Sequence, residues 1–148
     1  AAANAGFSTA PPDRLVLPVI DSGPFAYEQV NAAAAERDPD SLLNGMKRMI
    51  AVRRRYPTFA ATLCGPVDVD NPAVLVHRLA DDNGAILAVH NLGGEPCAAV
   101  LDLDATEAAM LSEIHGNRDY GTWDSADYRV ELDPYGYRWF WHPPLSEQ

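Results

Sequence analysis

"AVLVHRLADDNGAILAVHNL", residues 73–92, decides the fold. Two apolar runs of strand length, rich in Val, Leu and Ile, flank the turn residues Asp81 to Gly84. Asn83-Gly84 between such runs is a strong hairpin signal, because both residue types accept the positive φ of a tight two-residue turn. The stretch therefore reads as two antiparallel strands. Outward from it, the same texture recurs in "TLCGPVDV" (62–69), "AAVLDLD" (98–104), "YRVEL" (128–132) and "YGYRWFW" (135–141), with a weaker run at "AMLSEIHG" (109–116). Turn signals separate them at "DVDNP", "GGEP" and Asp133-Pro134. Seven or so short strands at this spacing predict an antiparallel β-sandwich.

Upstream the texture is helical. In "DPDSLLNGMKRMIAVRRRYP" (38–57) the spacing predicts a helix over 39–55. Asp38 is a natural N-cap, and Pro39 suits the first helical position, where its missing N–H costs nothing. Leu42, Leu43, Met46, Met49 and Ile50 form one apolar stripe. Arg53, Arg54 and Arg55 complement the negative end of the dipole, and Pro57 stops the helix. Gly45 is the flaw, costing about 1 kcal/mol relative to alanine. A second, short helix is expected in 27–36. Residues 1–31 read as irregular, punctuated by Pro11, Pro12, Pro18, Gly23 and Pro24.

Charge marks the boundary. Residues 1–56 carry a net +1 and residues 57–148 a net −11, so the expected division is 1–57 and 58–148. The chain of 148 residues, 47% hydrophobic and 22% charged, has enough apolar material for a core. Its net charge of −10 argues against nucleic acid and anionic membrane as partners. The arginine run reads as a dipole complement, because no second basic patch accompanies it. No apolar run approaches the roughly 20 residues that cross a bilayer, and "AAANAG" lacks the pattern of a secretory leader. Cys64 and Cys97 form no CxxC pair and read as two buried free thiols of a cytoplasmic protein.

The chemistry expected is sparse. His77, His90, His115 and His142 are scattered. His77 and His90 fall in neighbouring strands, but two imidazoles do not complete a metal site, so neither metal nor cofactor is expected. There is no G-x-S-x-G elbow and no phosphate-cradling glycine loop. Glycoside cleavage needs two carboxyl groups roughly 5–9 Å apart. Here the acids sit in turns (Asp68, Asp70, Asp81, Asp82, Asp124, Asp127) or at strand ends (Asp102, Asp104), the pattern of a solvated surface, so no catalytic residue is expected. Alternation along "YGYRWFW" puts Tyr135, Tyr137, Trp139 and Trp141 on one face and Gly136, Arg138 and Phe140 on the other. Such a stripe fills a sandwich core or an interdomain seam. The alternative is a carbohydrate-binding module in which Trp123 and Trp139 stack on an α-glucan or disaccharide.

Taken in order, "NAGFS" (4–8), "RLVLPVI" (14–20), "VN" (30–31), "RDPDSLLNGMKRMIAVRRRYPTF" (37–59), "NPAVLVHRL" (71–79), "ILAVHNL" (86–92) and "YGYRWFW" (135–141) resemble the C-terminal part of the trehalose synthase family, within the α-amylase superfamily. The resemblance implies an α+β, mainly β chain: an irregular loop segment, the last helix of a (β/α)8 barrel at 39–55, and a C-terminal antiparallel sandwich from about 58. It implies that "NAGFS" belongs to the loop after the eighth barrel strand, with Asn4, Gly6 and Phe7 near the sugar-binding mouth. The family's nucleophile aspartate, acid/base glutamate and stabilising aspartate lie upstream in the barrel, and none of their motifs occurs here. The parent would interconvert maltose and trehalose by a retaining, covalent route, while this chain alone is expected to be inactive. Its expected partner is the parent catalytic barrel or a second copy of itself. A weaker reading makes the stripe of Leu42, Met46, Met49 and Ile50 a docking surface for a separate barrel or kinase chain. The chain departs from the family pattern in two places: Ala2 and Ala3 stand where the family has an Asp-Arg pair, and Gly45 where it has a bulky aromatic.

Overall fold

The computed structural model describes residues 3–60, 63–121, 123 and 127–144. Ala2 and Asp124 lie outside those residues, and the side chains of Ala3 and Cys64 are likewise not described. The chain divides into two compact units, Ala1–Ile50 and Ala51–Gln148.

The first unit is mostly irregular up to helix α1 (Ala32–Arg37). Asn31 caps α1 by accepting from the Ala34 N–H at 2.8 Å. Helix α2 (Leu42–Arg55) starts three residues later than the spacing predicts. The reason is local competition for polar groups. Asp38 accepts from the Asp40 N–H at 2.9 Å and so closes a turn instead of capping the helix. Ser41 takes over as cap: its carbonyl accepts from Gly45 N at 2.9 Å and its Oγ from Asn44 N at 3.3 Å. The Asn44 side-chain amide donates to the carbonyls of Ala35, Glu36 and Asp38 at 3.0, 3.1 and 2.7 Å. It thereby satisfies carbonyl groups that the end of α1 leaves unpaired. A Cβ added at Gly45 meets, among the described residues, only the Arg48 guanidinium at 3.9 Å.

The second unit is a β-sandwich. Strands β1 (Leu63–Val67), β2 (Val74–Asp81), β3 (Gly84–Asn91), β7 (Tyr137–His142) and β5 (Ser112–Gly116) form one antiparallel sheet in that order. Strands β4 (Cys97–Val100) and β6 (Arg129–Leu132) form the second. The central hairpin stands where the sequence puts it, but its loop is Asp82-Asn83, because Asp81 pairs with Gly84. Gly84 opens β3 at φ 127°, and a Cβ there would come within 2.2 Å of the His142 carbonyl oxygen. Its glycine is required by the close approach of β7.

Val74, Val76, Leu87, Val89 and Phe140 of the large sheet meet Ala99, Leu101, Val130 and Leu132 of the small sheet region in one core. Period-two alternation places them all on one face of their strands. A short helix, α3 (Ala105–Met110), buries Ala108 and leads into the core residue Leu111. The sequence reading puts Asp104 at a strand end and a strand over 109–116. Instead Asp104 accepts from the N–H groups of Thr106 and Glu107, both at 2.8 Å, and caps α3, so the strand begins only at Ser112.

Several polar groups buried with the core are paired, whereas Arg78 Nε is buried without a hydrogen-bond partner among the described residues. Arg138 donates from Nε to Glu113 at 3.1 Å and again from Nη2. Asn91, 2% exposed, donates to the carbonyls of Glu95 and Asp133 at 2.7 and 2.8 Å and accepts from Gly93 N at 2.8 Å. Unpaired, such groups would cost about 1–3 kcal/mol each. Tyr135 leaves the stripe predicted for it: β7 starts at Tyr137, and Tyr135 sits in the preceding turn at φ 53°.

Candidate functional site

Three places carry the candidate residues. The first is the loop of Asn4, Gly6 and Phe7. Asn4, Ala5 and Gly6 take φ of 51°, 56° and 81°, three left-handed residues in succession. For Ala5 this conformation costs about 1 kcal/mol or more. The Asn4 side-chain amide donates to the carbonyls of Ser8 and Ala10 at 3.0 and 2.7 Å, so it holds the loop closed on itself. Phe7 projects with 90% of its surface exposed. Asn4 and Phe7 share an apolar cleft of about 380 Å³ with Leu17, Ile20, Phe25 and Val30.

The second place is the outer face of the large sheet, opposite the sandwich core. His77, His90, Tyr137, Trp139 and Trp141 lie on it by alternation, with His115 on β5 beside them. Thr58 lies in the 3-10 turn Pro57–Ala60, which packs against β2 and β3, and donates from Oγ1 to Asp81 at 3.0 Å. Phe59 lies 5.2 Å from the Trp139 ring and Tyr56 5.6 Å from the Trp141 ring. Trp139 also meets the edge of His115 at 5.3 Å. Its indole N–H is buried without a hydrogen-bond partner among the described residues. The ring is thus packed among aromatics instead of standing free. Stacked rings continue the row, His77 on His90 and His90 on Tyr137. Burial, and then the neighbouring His77, lowers the pKa of His90. Of the stripe "YGYRWFW", Phe140 enters the core while Tyr137, Trp139 and Trp141 form this face.

The third place was singled out by the sequence only through Trp123. A polar cleft is lined by Arg118, Tyr120, Trp123, Arg129, Glu131 and Arg138. Two guanidinium groups lie over the Tyr120 ring, Arg118 at 4.0 Å and Arg138 at 4.6 Å from its centroid. Arg118 forks onto Asp133 at 2.6 and 3.1 Å, which lowers the Asp133 pKa and raises that of Arg118. Trp123 packs on Phe140 at 5.2 Å and donates to the Ala108 carbonyl at 3.4 Å. Alternating charges in "YRVEL" hinted at a polar strand face, but its partners come from the loop before it (Arg118, Tyr120, Trp123) and from β7 after it (Arg138).

The more buried carboxylates work as braces. Glu107 pairs with Arg78 and His142, and Glu113 with Arg138. Among the described residues no group of three or more His, Cys, Asp or Glu side chains is arranged to hold a metal ion. Cys97 is free and half-buried, less enclosed than the sequence suggests, and burial raises its thiol pKa. No helix among the described residues is long and apolar enough to cross a membrane.

Comparison with known proteins now bears on this architecture. Residues 84–141 match the family described as sucrose hydrolase-like, C-terminal domain. The chain is 37% identical to the trehalose synthase/amylase TreS of Mycobacterium tuberculosis over 140 residues, covering 93% of this chain and 23% of that protein. It is 36% identical to the trehalose synthase of a Pimelobacter species over 141 residues, covering 93% and 25% respectively. The trehalulose synthase MutB of Pseudomonas mesoacidophila superposes with a TM-score of 0.70 at 22% identity, covering 95% of this chain and 23% of the other. At that identity the likeness is one of fold. The chain spans about a quarter of the length of these relatives. Residues 84–141 thus match a sucrose hydrolase-like C-terminal domain, within a chain that is similar to the C-terminal region of trehalose synthases.

Proposed function

We propose that this chain serves as the non-catalytic support of a catalytic barrel in an enzyme that interconverts maltose and trehalose. The observation that carries the reading is the apolar surface of residues 1–50. Val16, Leu17, Ile20, Phe25, Leu42 and Ile50 are all more than half exposed, while Ala26 is the one apolar residue of that unit in the buried set among the described residues. Each such side chain gains about 1.5–3 kcal/mol when covered. A barrel wall would cover them.

In this reading residues 1–57 complete the barrel, with α2 as its last helix, and residues 58–148 form the sandwich domain. Asn4, Gly6 and Phe7 belong to the rim of the sugar-binding mouth. The left-handed backbone of residues 4–6 supports this, because strained loops of that kind cluster at ligand sites. A cytoplasmic location accords with the free thiol of Cys97.

The test is to offer maltose to the purified chain alone and to the chain mixed with the barrel portion of a trehalose synthase-like enzyme. The expected result is no trehalose or glucose from the chain alone, and trehalose from the mixture. Turnover by the chain alone contradicts the proposal.

A further inference from the structure

We propose that the cleft between Tyr120 and β6 is a binding site for a neutral saccharide, an inference that does not depend on barrel support. Its charges balance. Arg118, Arg129 and Arg138 are matched by Asp127, Glu131 and Asp133 across two adjoining clefts that share Arg118, Arg129 and Glu131. A site for phosphate would keep an excess of positive charge, and a site for a cation an excess of negative charge. A balanced set of planar donors and carboxylate acceptors beside an indole suits a ligand that offers hydroxyl groups as both donors and acceptors and an apolar ring face.

The walls are held in place before any ligand arrives. Arg118 is fixed by its fork on Asp133, and Arg138 by Glu113. The Tyr120 ring contacts both guanidinium groups, and its hydroxyl donates to Asn117 Oδ1 at 2.8 Å while accepting from Asp133 N at 3.1 Å. Trp123 is held against Phe140. Ordering these groups costs nothing further on binding.

Two groups keep their bonding capacity. The Arg129 guanidinium reaches Glu131 only at 3.9 Å, too long for a hydrogen bond, and both side chains are more than half exposed. No hydrogen bond of either side chain's polar end is found among the described residues. Together they offer a donor fork and an acceptor pair at the cleft edge. Trp139, the other candidate for stacking, is excluded from this site by its packing among Phe59, Tyr137 and His115.

The test is a calorimetric and NMR titration of the full chain with maltotriose, trehalose and, as a control, inorganic phosphate. The expected result is saturable binding of at least one sugar, shifts at the Trp123 indole and at residues 129–131, and none with phosphate. Arg129→Ala and Glu131→Ala, at exposed positions, should each weaken sugar binding about tenfold with the circular dichroism unchanged. The proposal is overturned by no sugar binding at millimolar concentration, or by phosphate binding that displaces the sugar. Sugar binding that survives both substitutions also overturns it, because the sugar then sits elsewhere. None of these outcomes touches barrel support, which is read from trehalose formation in the mixed sample.

Discussion

The imidazoles of His77 and His90 stack across the central hairpin with centroids 5.6 Å apart and planes 7° from parallel. Among the described residues neither ring has a carboxylate partner. Burial lowers the His90 pKa from its ordinary 6.5, and a charge on His77 would lower it further. The sign of the pH effect follows. The unfolded chain takes up the proton first as pH falls below 6.5, so this stability is present above that value and lost as pH falls through the folded pKa. The expected NMR titration midpoint of His90 is below 6.5, and thermal stability should decline as the sample is acidified from there. His77→Phe should raise the His90 midpoint without restoring 6.5, since burial remains. A midpoint at or above 6.5 contradicts this account.

Glu107 joins three elements. Its Oε1 lies 3.2 Å from both Arg78 Nη2 on β2 and His142 Nε2 on β7, and its backbone N–H is held by the Asp104 cap. Glu107→Gln keeps the size and removes the charge. The expected loss is about 2 kcal/mol, read as a lower urea midpoint at unchanged slope. An unchanged midpoint would show that the brace contributes nothing net.

Gly84 and Gly121 separate two costs of replacing glycine. Both have positive φ, 127° and 77°. An added Cβ at Gly84 strikes backbone at 2.2 Å, whereas at Gly121 it meets nothing within 4 Å among the described residues. Gly84→Ala should therefore cost about 3 kcal/mol or more, and Gly121→Ala about 1 kcal/mol, in thermal unfolding. Equal losses at the two sites would contradict the packing of β3 against β7.

Much of this fold was legible from the chain because period-two alternation and turn chemistry are local. The β2–β3 hairpin, the apolar run of β7 and the helix ending at Arg55 could all be read that way. What was missed depended on competition between polar groups. Asp38 and Ser41 both look like caps, and only the turn at Asp38–Asp40 decides for Ser41. Asp104 and Glu107 bracket a helix start that the apolar run after them obscured. Apart from Trp123, the polar cleft was not legible, because Arg118 and Tyr120 reach β7 and the turn at Asp133 only through folding. The aromatic stripe was legible as a stripe, but its division between core and outer face follows from where β7 begins.

Hydrogen exchange on residues 1–50, in the chain alone and with the barrel portion of a trehalose synthase-like enzyme added, tests barrel support most directly. The account predicts fast exchange through the irregular segment and α1 in the chain alone, and slowed exchange there once the barrel is present, with the sandwich strands protected in both samples. Full protection of residues 1–50 in the isolated chain, unchanged by the barrel, would contradict it.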